Sequence, residues 1–201
     1  MQHLTTRFIL MGILIFFFFT YVYTDVVYTE PVNAQLPLPR QIIKTSHQKD
    51  SAALTRTSDL IVYASIGPHS DRWPVNRRIS AHQTLFNARQ QIQIKRVLKG
   101  SLPPSVYLLT TGVDPLPRPG DPLNSLYTGP LADGEFLLFL KSYNVRPYYT
   151  LNGGFSAVYP IINGKTVVLE DEGFGDFGGK TVTEIADLLR QLVQALSFCL
   201  K

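Results

Sequence analysis

Apolar and polar side chains alternate with a period of two along residues 84–98. Phe86, Ala88, Ile92, Ile94 and Leu98 fall on one face. Asn87, Arg89, Gln91, Gln93, Lys95 and, one step beyond, Lys99 fall on the other. This is the pattern of a strand with one buried and one wet face. Gln90 and Arg96 interrupt the inner face, which predicts a bulge or a barrel rim there. Residues 60–66 and 135–143 are apolar on both faces and read as strands, the second as a central one. Residues 106–111, 148–151 and 155–162 read as further strands, and Asn163-Gly164 predicts a tight hairpin from 159–162 into 166–169.

Helical spacing appears twice. Residues 47–57 predict a short helix with Ala52, Ala53 and Leu54 inward. Near the C-terminus Thr181 and Glu184 form a capping box, after which Ile185, Leu188, Leu189, Leu192, Val193 and Leu196 recur on one stripe. Between these elements, residues 35–46 with Pro37 and Pro39 read as a linker. Residues 68–80 read as a polar loop holding Trp73-Pro74. Residues 112–134, rich in Pro and Gly, form a loop long enough to be functional or mobile.

The first residues differ from the rest. Phe8 to Phe19 reads FILMGILIFFFF without a charge, preceded by Arg7 and stopped by Asp25. This is the n-region and h-region of a secretory signal. Val32-Asn33-Ala34 offers a cleavage site, so that the mature chain begins at Gln35. The alternative is an uncleaved anchor, since the apolar run to Tyr23 is about 16 residues against the roughly 20 that span a bilayer. Both readings put residues 1–34 in a signal peptide or N-terminal membrane anchor and the domain, 47–201, outside the cytoplasm. With no cysteine near the cleavage region, a lipoprotein anchor is not expected.

Composition sharpens this into a fold class. Twelve Phe and ten Tyr against one Trp favour strands, and 14 Gly with 14 Pro imply many turns. The expectation is a mainly β domain: a small, partly open OB-like barrel of five or six strands with the C-terminal amphipathic helix packed on it. The only cysteine is Cys199, so the chain has no intrachain disulfide and no Cys-based zinc site. An exported chain without disulfides suits a bacterial source.

The net charge of +4 is unevenly placed. Residues 40–118 hold 12 Lys/Arg against 4 Asp/Glu, and residues 119–201 hold 6 against 9. A basic first half suits anionic headgroups or wall polymers. Arg89, Lys95 and Lys99 on the wet face of the alternating strand are candidate contacts. Arg118 and Tyr127 in the proline-rich loop are two more, being residue types that dominate binding hot spots. The expected partner is an anionic envelope polymer, a lipid headgroup or a protein, and not a nucleic acid.

The familiar catalytic patterns fail one by one. Gly173 to Gly178 fits G-x-G-x-x-G, but the chain has no later strand with an acidic residue for a ribose. Gly164-Lys165-Thr166 and Gly179-Lys180-Thr181 lack the glycine of a phosphate loop, with Tyr159 and Phe174 in its place. Glu170-Asp171-Glu172 with Asp176 lacks calcium-loop spacing. His47, His69 and His82 show no metal-ligand spacing. Ser156 is in no nucleophile elbow, and Cys199 falls on the apolar stripe. No cofactor and no catalytic residue is expected. The leading function is a non-enzymatic binding module of the envelope. The alternative is an extracytoplasmic hydrolase using loop residues such as His69, Asp71 and His82.

Three strand motifs resemble those of a known group. Ser58-Asp59-Leu60-Ile61-Val62 resembles its opening strand, with Ser for the usual Ala. Ile94-Lys95-Arg96-Val97-Leu98-Lys99-Gly100 resembles an I-x-x-V-x-K-G strand end, and Gly134 to Leu140 a G-x-x-Y-L-L-F-L strand. The set, over residues 58–162, resembles secreted bacterial proteins of unassigned function with an OB-fold-like domain. It is more distantly similar to the netrin-like domain of the tissue inhibitors of metalloproteinases. Those inhibitors chelate the protease zinc through an N-terminal cysteine, which this chain lacks, so the resemblance implies a fold and no site residue.

Overall fold

The computed structural model describes residues 38–144 and 147–198, with side chains as far as 194. The expectations for residues 1–34, for Cys199 and for the Leu196 side chain lie outside the described residues. From Pro39 on, the chain is one compact unit.

The elements are helix α1 (Ser51–Thr57), strands β1 (Leu60–Ile66), β2 (Asp71–Arg78), β3 (Thr84–Lys99) and β4 (Tyr107–Asp114), helix α2 (Pro122–Leu126), strands β5 (Gly134–Ser142), β6 (Tyr148–Leu151), β7 (Val158–Ile162) and β8 (Lys165–Thr166), and helix α3 (Val182–Phe198). Five strands close a ring. β1 pairs with β3 and β5, β3 with β4, and β5 with β6, all antiparallel, while β4 and β6 pair parallel. β2 adds to the outer edge of β3, and β7 with β8 extends from β5. The domain is thus mainly β, built on a ring of five strands, with a C-terminal helix against it.

The alternation along β3 holds where it was clearest. Ile92 is buried, Ile94 half-buried, and Gln91 and Gln93 exposed. The bulges fall at Lys95 and Leu98, where the register against β1 skips a residue, and not at Gln90, which pairs regularly with Leu108. The hairpin at Asn163-Gly164 forms with both residues at positive φ, 52° and 75°. The strand after it stops at Thr166, because Thr166 turns to bond the Phe177 and Lys180 carbonyls.

The polar loop expected at 68–80 is largely the strand β2. Pro74 is tolerated there because β2 lies at the sheet edge, where one row of N–H groups has no strand to reach. The strand expected to begin at Phe155 begins at Val158, after a 3-10 turn over Gly154–Ala157.

Phe139, Tyr159 and Phe177 form the aromatic centre of the core, with ring centroids 4.9–5.8 Å apart. Helix α3 docks here through Ile185 and Leu189, both buried, with Leu188 and Leu192 at the margin. Val193 falls off the stripe and is 47% exposed. The Thr181–Glu184 capping box forms in both directions, the Thr181 N–H donating to Glu184 Oε2 at 2.7 Å and the Glu184 N–H to Thr181 Oγ1 at 3.3 Å.

Candidate functional site

The three cations on the wet face of β3 do not form a continuous row. Arg89 donates from Nε and Nη2 to Asp71 Oδ2 at 2.9 and 2.6 Å, and its guanidinium lies 5.4 Å from the centre of the Tyr107 ring. The Arg89 bond holds the Asp71 carboxyl below the usual range, against a weaker opposing effect of burial. Lys95, displaced by its bulge, bonds Glu135, which also accepts from Tyr63. That Lys95 bond lowers the Glu135 carboxyl, and the Tyr63 bond lowers it further.

Lys99 has a different task. Its Nζ donates to the carbonyls of Thr55, Arg56 and Ser58 at 2.7–2.9 Å, closing the C-terminal end of α1. Burial pulls its pKa down. A cation here is a helix cap, because the last carbonyls of a helix have no partners of their own.

The other two candidates lie together in the 115–133 loop. Part of this loop is ordered as α2, capped by Asp121 Oδ1, which accepts from the Leu123 N–H at 2.9 Å. The Arg118 carbonyl accepts from the Asp121 N–H and Asn124 Nδ2, while the Arg118 side chain is exposed and in no ion pair among the described residues. Tyr127 lines a groove of about 400 Å³ between this loop and the arm made by β2 and the adjoining parts of β3 and β4. Phe86, Pro117, Pro130 and Phe155 are other walls. Arg72 stands over the Phe86 ring at 5.0 Å.

Two glycines let the loop sit so close. A Cβ on Gly112 would fall 2.5 Å from the Phe86 ring and 3.2 Å from the Gly129 Cα. The Gly129 N–H donates to the Thr111 carbonyl at 3.0 Å, and the Gln90 side chain bonds both the N–H and the C=O of Leu131 at 2.7 and 2.8 Å.

The other face of the arm is covered by a strap that sequence reasoning read as a linker. Pro39 is buried, and its carbonyl accepts from Trp73 Nε1 at 2.8 Å and from Asn87 Nδ2 at 2.9 Å. Asn87 Nδ2 also donates to the Gln41 carbonyl, and Thr111 Oγ1 donates to Asn87 Oδ1 while accepting from the Ile43 N–H at 2.8 Å. Asn87 sits at a wet position of the alternation, yet it is fully buried. The one available signal was an amide among charged neighbours, which is weak.

His69 Nε2 lies 3.2 Å from Asp71 Oδ1. His82 lies past the far end of β2, on the order of 20 Å away at a strand's rise per residue. The residues of the hydrolase alternative are therefore not brought together. Among the described residues no group of His, Cys, Asp and Glu is arranged to hold a metal ion, and no helix is long and apolar enough to cross a membrane.

No family model, curated protein or solved structure matches the chain.

Proposed function

We propose that this chain is an exported, non-enzymatic binding module of the cell envelope, with its site in the groove between the 115–133 loop and the β2–β3–β4 arm. The observation that carries the reading is the groove's construction. An aromatic and proline wall of Tyr127, Phe86, Phe155, Pro117 and Pro130 is held in place by α2 and by the close approach of Gly129 to Gly112. A concave, preformed wall loses little conformational entropy when a partner arrives. Arg72 at its edge suits a partner segment that offers an apolar side chain beside a carboxylate. The kinship to secreted OB-like and netrin-like domains belongs to the same reading, as does the role of residues 1–34 in export.

The test is a photo-crosslinking residue placed at Tyr127 in the full chain in its native envelope, with Gln93 as an exposed control. The expected result is a discrete adduct from position 127 only, weakened by Phe86→Ala. Equal labelling from both positions, or none from 127, removes the groove as the site. Mass spectrometry of the mature N-terminus separates cleavage after Ala34 from an anchor.

A further inference from the structure

From Arg72 to Val113 the chain contains seven Lys/Arg and no Asp or Glu. Arg89 and Lys95 each meet a carboxylate and Lys99 is held by backbone carbonyls; the other four have neither among the described residues: Arg72, Arg77 and Arg78 on β2, and Arg96 at the ring end of β3. The three on β2 occupy one edge strand. Arg72 bonds only Ser70 and stacks on Phe86, and Arg77 and Arg78 are exposed. Beside them Ile79, at the tip of the β2–β3 hairpin, is 38% exposed.

The nearby acids are two. Asp71 is held by Arg89. Asp114 lies two strands from Arg78, across Thr84 in the register, and leaves the edge itself cationic.

Trp73 of β2 donates from Nε1 to the Pro39 carbonyl at 2.8 Å, which ties the strap to this strand. Arg40 adds an exposed cation one residue further on.

We propose that the β2 edge from Arg72 to Ile79 is a docking surface for an anionic bilayer. Arg72, Arg77 and Arg78 meet lipid headgroup phosphates or carboxylates, and Ile79 settles at the headgroup boundary. Two features favour a bilayer over a polymer or an acidic protein: the apolar residue at the tip of the cationic hairpin, and the absence of any acidic residue along the edge from Arg72 to Ile79.

Trp73 is the only tryptophan of the chain, so its fluorescence reports on this strand alone. The experiment uses the full chain with vesicles of phosphatidylcholine, with and without phosphatidylglycerol, each carrying a headgroup spin label as quencher. Quenching of Trp73 is expected in the anionic vesicles and not in the neutral ones, and it should fall at high salt. The double variant Arg77→Gln/Arg78→Gln should partition about thirtyfold more weakly, at the usual contribution of a cation near an anionic surface. Arg56→Gln/Arg96→Gln, which removes the same charge at the ring end, should change little.

Equal quenching in neutral and anionic vesicles, no quenching in either, or equal losses in the two double variants would overturn the proposal. Flotation of the chain with neutral vesicles reads the N-terminal segment separately, so failure of the membrane-directed reading is distinguishable from failure of the patch.

Discussion

The two ends of β3 treat their charges differently. At the ring end, Lys95 bonds Glu135 on β5 and Lys99 caps α1, while Lys141 of β5 bonds Asp59, just before β1, at 3.0 Å. At the arm end, Asp71 is held by Arg89, and Arg72, Arg77 and Arg78 have no acidic partner among the described residues. The cause is topological. The first half of the chain is basic and the second half acidic, and the ring sets β5, from the acidic half, beside β1 near the ring end of β3. The arm consists of β2, β3 and β4, all from the basic half, and its other face is covered by a strap from the same half. A charge asymmetry along the chain thus becomes a charge asymmetry in space only where the topology withholds the complementary half.

The contrast can be tested by how far damage spreads. The largest effect is expected from Phe139→Ala in the aromatic centre, about 3–4 kcal/mol of global stability by urea unfolding. Asn87→Ala should cost about 2 kcal/mol, because it strands the Gln41 carbonyl under the strap and takes the acceptor from the buried Thr111 hydroxyl. In native-state hydrogen exchange its effect should appear first at the Ile43 and Thr45 amides, with the ring amides of β5 unchanged. Faster exchange throughout β5 would mean that arm and ring unfold as one unit.

At the ring end, Lys99→Met keeps the stem of the side chain and removes the cap, at a cost of about 1.5 kcal/mol in the same unfolding measurement. A smaller loss than from Lys95→Met would reverse the roles given to the two lysines.

The smallest effect is the Arg89–Asp71 pair, below about 1 kcal/mol because the Asp71 side chain is 45% exposed. Arg89 lowers the folded Asp71 pKa. Its stabilisation is therefore complete above about pH 4, the ordinary carboxylate value, and is lost as pH falls through the lowered value. Thermal melts across that acid range should show a shallower decline in Arg89→Met than in the parent chain.

How much of this was legible depended on whether a residue answered to its own strand or to a distant segment. Ile92 between Gln91 and Gln93 follows the pleat, so its burial was readable. Strand β2 was not, because Pro74, Asn76 at φ 55° and a run of arginines are poor strand signals, and β3 supplies the template that orders them. Asn87 and Lys99 were both assigned to water by alternation. One is buried by a strap 46 or more residues earlier, the other recruited by a helix some 40 residues earlier. Tyr127 and Arg118 were candidates by residue type alone. The groove that Tyr127 lines depends on Phe86, Gly112 and Gly129, whose approach no local pattern encodes.

Gln90 has a consequence for tolerance to insertion. Its amide gives and receives one bond with the Leu131 backbone, as a partner strand would, and with the Gly129 bond to Thr111 it pins the returning chain. Everything between Asp114 and Leu131 is then tethered at both ends independently of its own length. Residues added near Gly120, on the outer turn, would enlarge the loop without shifting the register of β5 behind it. The same fold can then carry loops of many lengths beside the arm of one unchanged ring.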